Sequence, residues 1–265
     1  MASGSSKIGL ALSGGAALGM AHVGVLQAFK DNEIEIGYIS GTSAGAFAAA
    51  LYAFRTDLEK VREYAKELRW FNLSGLRLSK YGIVTTEGIG KLIEELIGKK
   101  KIEDASIPLA MIATDVTSGD KVVLTKGDLA EAVMASCCIP GIFTPVAIGK
   151  RMLVDGGLVE NVPVSPLQDM GAHPIIAVDL SSKIKLEQPK EIIGVIVNSI
   201  TIGIRASRKI NPEHVDVLIE PKLDAYKGTD LKNEADLFTE GYRAAEEKLD
   251  EIQKLVKEKS GNAAK

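Results

Sequence analysis

Ser43 stands in the run Gly41-Thr42-Ser43-Ala44-Gly45, and G-x-S-x-G is a spacing that suits a nucleophile. A serine at a sharp strand-to-helix turn presents its hydroxyl at a helix N-terminus, and the flanking glycines let strand and helix approach without Cβ clashes. Asp155-Gly156-Gly157 puts a carboxylate at the end of the apolar run Met152-Leu153-Val154. A carboxylate within ~3 Å of a serine hydroxyl can take its proton while the oxygen attacks an ester carbonyl. A third segment, Leu12-Ser13-Gly14-Gly15-Ala16-Ala17-Leu18-Gly19, follows an aliphatic run. A glycine-rich turn at a helix N-terminus offers unpaired N–H groups, reinforced by the helix dipole, to a developing oxyanion. Taken singly, each segment also reads as a tight turn, for which Asp-Gly is a strong local signal.

Other chemistries fail on residue type. Gly14 and Gly19 have P-loop spacing, but Met20 and Ala21 stand where a phosphate-binding Lys and a magnesium-binding Ser or Thr belong. Ala16 also breaks a G-x-G-x-x-G pattern. The two cysteines, Cys137 and Cys138, are adjacent. They form no disulfide framework and no C-x-x-C pair, and a reducing compartment is the default. With three histidines (His22, His173 and His214) they fall short of a convincing zinc set. No metal and no cofactor are expected. His173 and His214 follow Asp155, so a Ser, Asp, His order stays open. Against that triad, too few residues precede Ser43 for the strands that usually come before such an elbow, and no HGG sequence occurs. His22 lies in the helix after the glycine loop, where packing is its expected role.

The elements that must hold these residues alternate. Strands are expected over residues 7–12, 37–40, 108–114, 121–125, 146–154, 174–179 and 215–219. Helices are expected over 17–30, 46–54, 57–70, 86–98, 128–135 and 235–257, with 181–190 as a long polar loop. Such alternation implies an α/β fold, a three-layer α/β/α arrangement with a mainly parallel central sheet. The 265 residues are 46% hydrophobic, 25% charged and carry a net charge of −3. That composition excludes a disordered chain, and the missing basic surplus argues against a nucleic-acid partner. Residues 7–26 loosely imitate a signal peptide, but glycines and His22 interrupt the run, and a cytoplasmic location is the expectation.

With the three segments in this order, the chain resembles the patatin-like phospholipase family. Stretches between them match as well: Ala21-His22-Val23-Gly24-Val25-Leu26, Ala113-Thr114-Asp115, Ala135-Ser136, Ile139-Pro140-Gly141, Phe143-Thr144-Pro145-Val146 and Asn161-Val162-Pro163-Val164. The similarity spans residues 7–250, taken as one domain. It implies a serine hydrolase acting on carboxylic esters of phospholipids, lysophospholipids or glycerides. Ser43 would be the nucleophile and Asp155 its base in a Ser–Asp dyad, with Gly14, Gly15 and Ala16 as the oxyanion hole. Gly19, Gly41, Gly45, Gly156 and Gly157 would be the motif glycines. Ala16 replaces the family's usual third glycine, which matters little if its φ is negative. Leu18 replaces a frequent basic residue and leaves open a non-catalytic, lipid-binding member. Trp70, Phe71, Leu73, Leu76 and Leu78, interleaved with Arg69, Arg77 and Lys80, suit either a peripheral membrane contact or a loop folded over the core.

Overall fold

β1 (Ile8–Leu12), β5 (Leu109–Asp115) and β9 (Ile175–Val178) are buried along their whole length. Their near-continuous apolar runs reflect a sheet covered on both faces. The computed structural model describes residues 7–67, 75–79, 82–182, 186, 188–207, 212–226 and 233–262. The remaining strands are β2 (Ile36–Thr42), β3 (Gly75–Ser79), β4 (Gly82–Thr85), β6 (Lys121–Leu124), β7 (Val146–Ile148), β8 (Arg151–Asp155) and β10 (Val217–Ile219). The helices are α1 (Met20–Asp31), α2 (Ala44–Ala53), α3 (Leu58–Glu67), α4 (Glu87–Ile97), α5 (Leu129–Ser136), α6 (Ser165–Asp169), α7 (Ile192–Ser207), α8 (Glu234–Glu246) and α9 (Leu249–Asn262).

Eight strands form one mixed sheet in the order β10-β9-β1-β2-β5-β8-β7, with β6 also paired to β5. The run from β10 to β5 is parallel. β6 and β8 are antiparallel to β5, and β7 is antiparallel to β8. Side chains alternate between two cores, as the period of a strand requires. Leu10, Leu12, Ile176 and Val178 join the larger core with α1, α2 and α5. Ala11, Ile175 and Ala177 join a smaller one with Val162, Val164 and Leu167. Helices thus cover both faces, and the α/β class is borne out.

Several boundaries differ from expectation. The run expected as one strand over 146–154 is a hairpin, because Gly149 at φ 62° turns the chain between Ile148 and Arg151. The expected terminal helix over 235–257 is divided between α8 and α9 at Glu247-Lys248. α7 falls where no helix was expected. Residues 68–74 and 80 lie outside the described residues, whereas Leu76, Arg77 and Leu78 fall in β3, which pairs with β4 as a separate hairpin. Among the described residues, no helix is long and apolar enough to cross a membrane.

The topology brings two strand ends together. β2 runs parallel to β5 and places Thr42 opposite Ile112. β8 runs antiparallel to β5 and places Asp155 opposite Ala113. The two strands therefore point toward each other and end one position apart along β5. Ser43 and Asp155 are the residues at those ends.

Candidate active site

Ser43 links β2 to α2 with φ 53° and ψ −123°, a conformation that costs a non-glycine residue about 1–3 kcal/mol. The surroundings enforce it. A Cβ on Gly45 would overlap the Leu12 and Ser13 carbonyl oxygens, and one on Gly41 would overlap the Ala46 backbone. Only glycines let the start of α2 sit this close to β1 and β2. The Ser43 N–H donates to Ser136 Oγ at 2.9 Å, and that hydroxyl donates to the Ile112 carbonyl at 2.7 Å. Thr42 Oγ1 donates to the Glu160 carbonyl at 2.9 Å, which ties the end of β2 to the segment after β8.

Asp155 is equally fixed. Its N–H donates to the Cys138 carbonyl at 2.8 Å, and its own carbonyl accepts from Thr114 Oγ1 at 2.9 Å. Oδ1 accepts from the Gly157 N–H at 2.8 Å. Burial pushes the carboxyl up to about 6, against the opposing pull of hydrogen bonds from Ser43 and Gly157. A buried carboxylate of raised pKa next to a serine hydroxyl is equipped to receive a proton near neutral pH.

The glycine loop packs on this pair: a Cβ on Gly14 would lie 3.4 Å from Ser43 Cβ. Its donors are not all free, and here the expected hole needs correction. The Gly14 N–H donates to the Asn161 carbonyl at 3.1 Å. That leaves Gly15 and Ala16, whose N–H groups have no backbone acceptor among the described residues. Ala16 has φ 48°, so the replaced glycine does matter: the left-handed region costs an L-residue roughly 1–2 kcal/mol. Leu18 is fully buried and serves packing.

The histidines divide sharply. His173 donates its N–H to the Lys7 carbonyl, and His214 precedes β10. Both lie at the N-terminal ends of the parallel strands, while Ser43 lies at the C-terminal end. The five residue steps from Lys7, whose carbonyl accepts from His173, to Leu12 separate these edges by roughly 16 Å. Neither histidine meets Ser43, and the triad order left open by the sequence has no support in the fold. His22 is fully buried, with Nε2 2.8 Å from the Ser13 carbonyl. A carbonyl only accepts, so Nε2 carries the proton. Burial lowers the imidazole to about 4, and neutral His22 anchors the entry to the glycine loop. Both cysteines are buried, and Cys138 Sγ donates to the Thr144 carbonyl at 3.3 Å. Burial and the nearby Asp155 push this thiol up to about 12, which suits packing rather than thiolate chemistry. Among the described residues, no His, Cys, Asp and Glu cluster could hold a metal ion.

The sequence profile of the patatin-like phospholipases matches residues 10–167, a span that holds the glycine loop, the Ser43 turn and Asp155. The chain belongs to the patatin-like phospholipase family. It is 34% identical over 182 residues to an uncharacterized NTE family protein of Mycobacterium tuberculosis, across 68% of this chain and 50% of that protein. It is 33% identical over 186 residues to neuropathy target esterase sws of Drosophila melanogaster, across 67% of this chain and 13% of that protein. It is 32% identical over 181 residues to lysophospholipase NTE1 of Yarrowia lipolytica, across 66% of this chain and 13% of that protein. The match thus spans half or less of these relatives. The fold resembles VipD of Legionella pneumophila, with TM-score 0.57 and 13% identity over 94% of this chain and 67% of VipD. It also resembles the ExoU–SpcU complex of Pseudomonas aeruginosa, with TM-score 0.52 and 16% identity over 94% of this chain and 52% of that one.

Two supports of this patatin-like site carry no local signal. Ser136 lies far from Ser43 in sequence and was visible only as part of a family stretch. The same holds for Asn161, whose carbonyl accepts from Gly14 while Nδ2 donates to Ser181 Oγ at 2.9 Å. Its Oδ1 lies 2.5 Å from where a Cβ on Gly14 would stand and 3.1 Å from one on Gly157. Asn161 thus wedges the glycine loop against the Asp-Gly-Gly turn. Asn161→Ala is expected to lower kcat by about 10- to 100-fold with KM little changed, because it removes the side-chain wedge between the glycine loop and the Asp155 turn while keeping the carbonyl that accepts from Gly14. Steady-state kinetics on a soluble ester measures this, and a change confined to KM would refute the positioning role.

Proposed function

We propose that this chain is a serine lipid acyl hydrolase that cleaves carboxylic esters of phospholipids, lysophospholipids or glycerides, with residues 7–250 as its catalytic unit. The observation that carries the reading is Ser43 held at positive φ against a buried Asp155 of raised pKa. The names of its relatives, an esterase and lysophospholipases, support the same class.

In this scheme Ser43 Oγ attacks the ester carbonyl carbon while its proton passes to Asp155. The Gly15 and Ala16 N–H groups receive the tetrahedral oxyanion. The intermediate collapses, the C–O bond to the alcohol breaks, and the leaving alkoxide takes the proton from Asp155. Water then attacks the acyl-Ser43, giving its proton to Asp155. Collapse releases the fatty acid and returns the proton to Ser43 Oγ. No step calls for a metal or cofactor.

Labelling with a fluorophosphonate tests the scheme. A covalent adduct on Ser43 is expected, slower in Asp155→Asn and absent in Ser43→Ala. The strained Ala16 and the buried Leu18 favour a second reading, a lipid-binding member without turnover. An unlabelled Ser43 in folded wild-type protein would decide for it.

A further inference from the structure

α7 is unlike the other helices among the described residues. Residues 192–204 carry no charge and are mostly Ile and Val, yet none of the described α7 side chains is fully buried. Ile192 is 75% exposed, Val195 50% and Ile202 54%. With Ser199 they follow helical spacing and form one outward stripe. Leu186, just before the helix, is also exposed. The other side of the helix rests on the site. Ile204 Cδ1 would lie 3.0 Å from a Cβ on Gly157, next to Asp155, and Ile196 would lie 3.3 Å from one on Gly141. An apolar stripe in water is costly, and a contiguous one marks a docking surface.

The flanks name the occupant. In sequence, Lys183, Lys185 and Lys190 precede the helix, Arg205 stands in its last turn, and Arg208 and Lys209 follow it, against only Glu187 and Glu191. A cationic segment in a chain of net charge −3 is complementary to an anionic surface. Binding at a lipid interface grows with the apolar area buried and with the attraction of basic residues to anionic headgroups, and this segment offers both. We propose that α7 docks the protein on an anionic lipid surface, with Ile192, Val195 and Ile202 entering the lipid and the Ser43–Asp155 cleft held against it. The position of the substrate rests on the hydrolase reading; the docking itself does not.

The test separates the two. Vesicle flotation is run on the Ser43→Ala protein, so that no lipid is consumed, with phosphatidylcholine vesicles with and without phosphatidylglycerol. Binding is expected with phosphatidylglycerol and should weaken with salt. Adding Ile192→Gln, Val195→Gln and Ile202→Gln should lower vesicle affinity by at least about tenfold. In the active background the same three changes should leave turnover of a soluble short-chain ester unaltered. Undiminished flotation of the triple variant, or no flotation of its parent, overturns the proposal. So does a dimer in sedimentation that the triple variant abolishes, since a second copy would then cover the stripe. Absent ester turnover alongside α7-dependent flotation would count against the hydrolase reading and leave the docking intact.

Discussion

Ser43→Ala is expected to fold and to lose ester turnover by roughly 10⁴- to 10⁶-fold, the range seen when a covalent nucleophile is removed from a machinery that acts as a unit. In the proposed scheme the residual rate would come from substrate binding and the Gly15 and Ala16 donors. Stability supplies a second readout. At φ 53° alanine keeps the backbone strain of serine, whereas glycine relieves it. Ser43→Gly should therefore be more stable than Ser43→Ala, by about 1 kcal/mol once the looser unfolded chain is counted. Denaturant unfolding of both inactive proteins measures the difference. A rate for Ser43→Ala within about tenfold of wild type, only ~1.4 kcal/mol of barrier, would remove Ser43 from the chemistry. Equal stability of the two variants would mean that the elbow carries no strain.

The three chemical segments were legible because each is a glycine-rich turn at a strand end, a strong signal read locally. What joins them was not. The antiparallel direction of β8, which aims Asp155 at Ser43, depended on a two-residue turn at Gly149-Lys150 inside a run that otherwise reads as one strand. The supports from Asn161 and Ser136 act between segments distant in sequence, partly through main-chain groups that every residue owns. The occupied Gly14 donor is such a case: a glycine loop advertises free N–H groups, and only the fold shows which are spent. α7 escaped for another reason. A surface helix is recognised by a polar face alternating with an apolar one, and residues 192–204 have no charged face at all. The division between α8 and α9 falls at Glu247 and Lys248, residues that favour helix, so nothing marks it.

Asp155→Asn is expected to abolish most turnover while making the fold more stable at neutral pH. Asparagine is nearly isosteric, and its oxygen can still accept from the Gly157 N–H, so the turn survives; what disappears is a buried negative charge. Asp155 sits at about 6 instead of the ordinary 3.8 because burial opposes its ionisation. Between those values the folded protein holds a proton that the unfolded chain has released. On account of this group, stability is greatest below pH ~4, falls as pH rises toward ~6 and then levels off, with a total change on the order of 3 kcal/mol. The variant lacks that fall. Its advantage over wild type, followed by denaturant unfolding across pH, should be small at low pH, grow between pH ~4 and ~6, and hold steady above. A turn aspartate with a lowered pKa predicts the reverse, an advantage that shrinks as pH rises. The kinetic counterpart is an acidic limb of kcat/KM near pH 6, for an aspartate raised this far lies close to the histidine reference value of ~6.5. The position of the limb therefore does not separate an aspartate base from a histidine base. Its source does: the limb should persist unchanged in His173→Ala and His214→Ala, whose imidazoles lie at the far edge of the sheet, and Asp155→Asn should keep none of it.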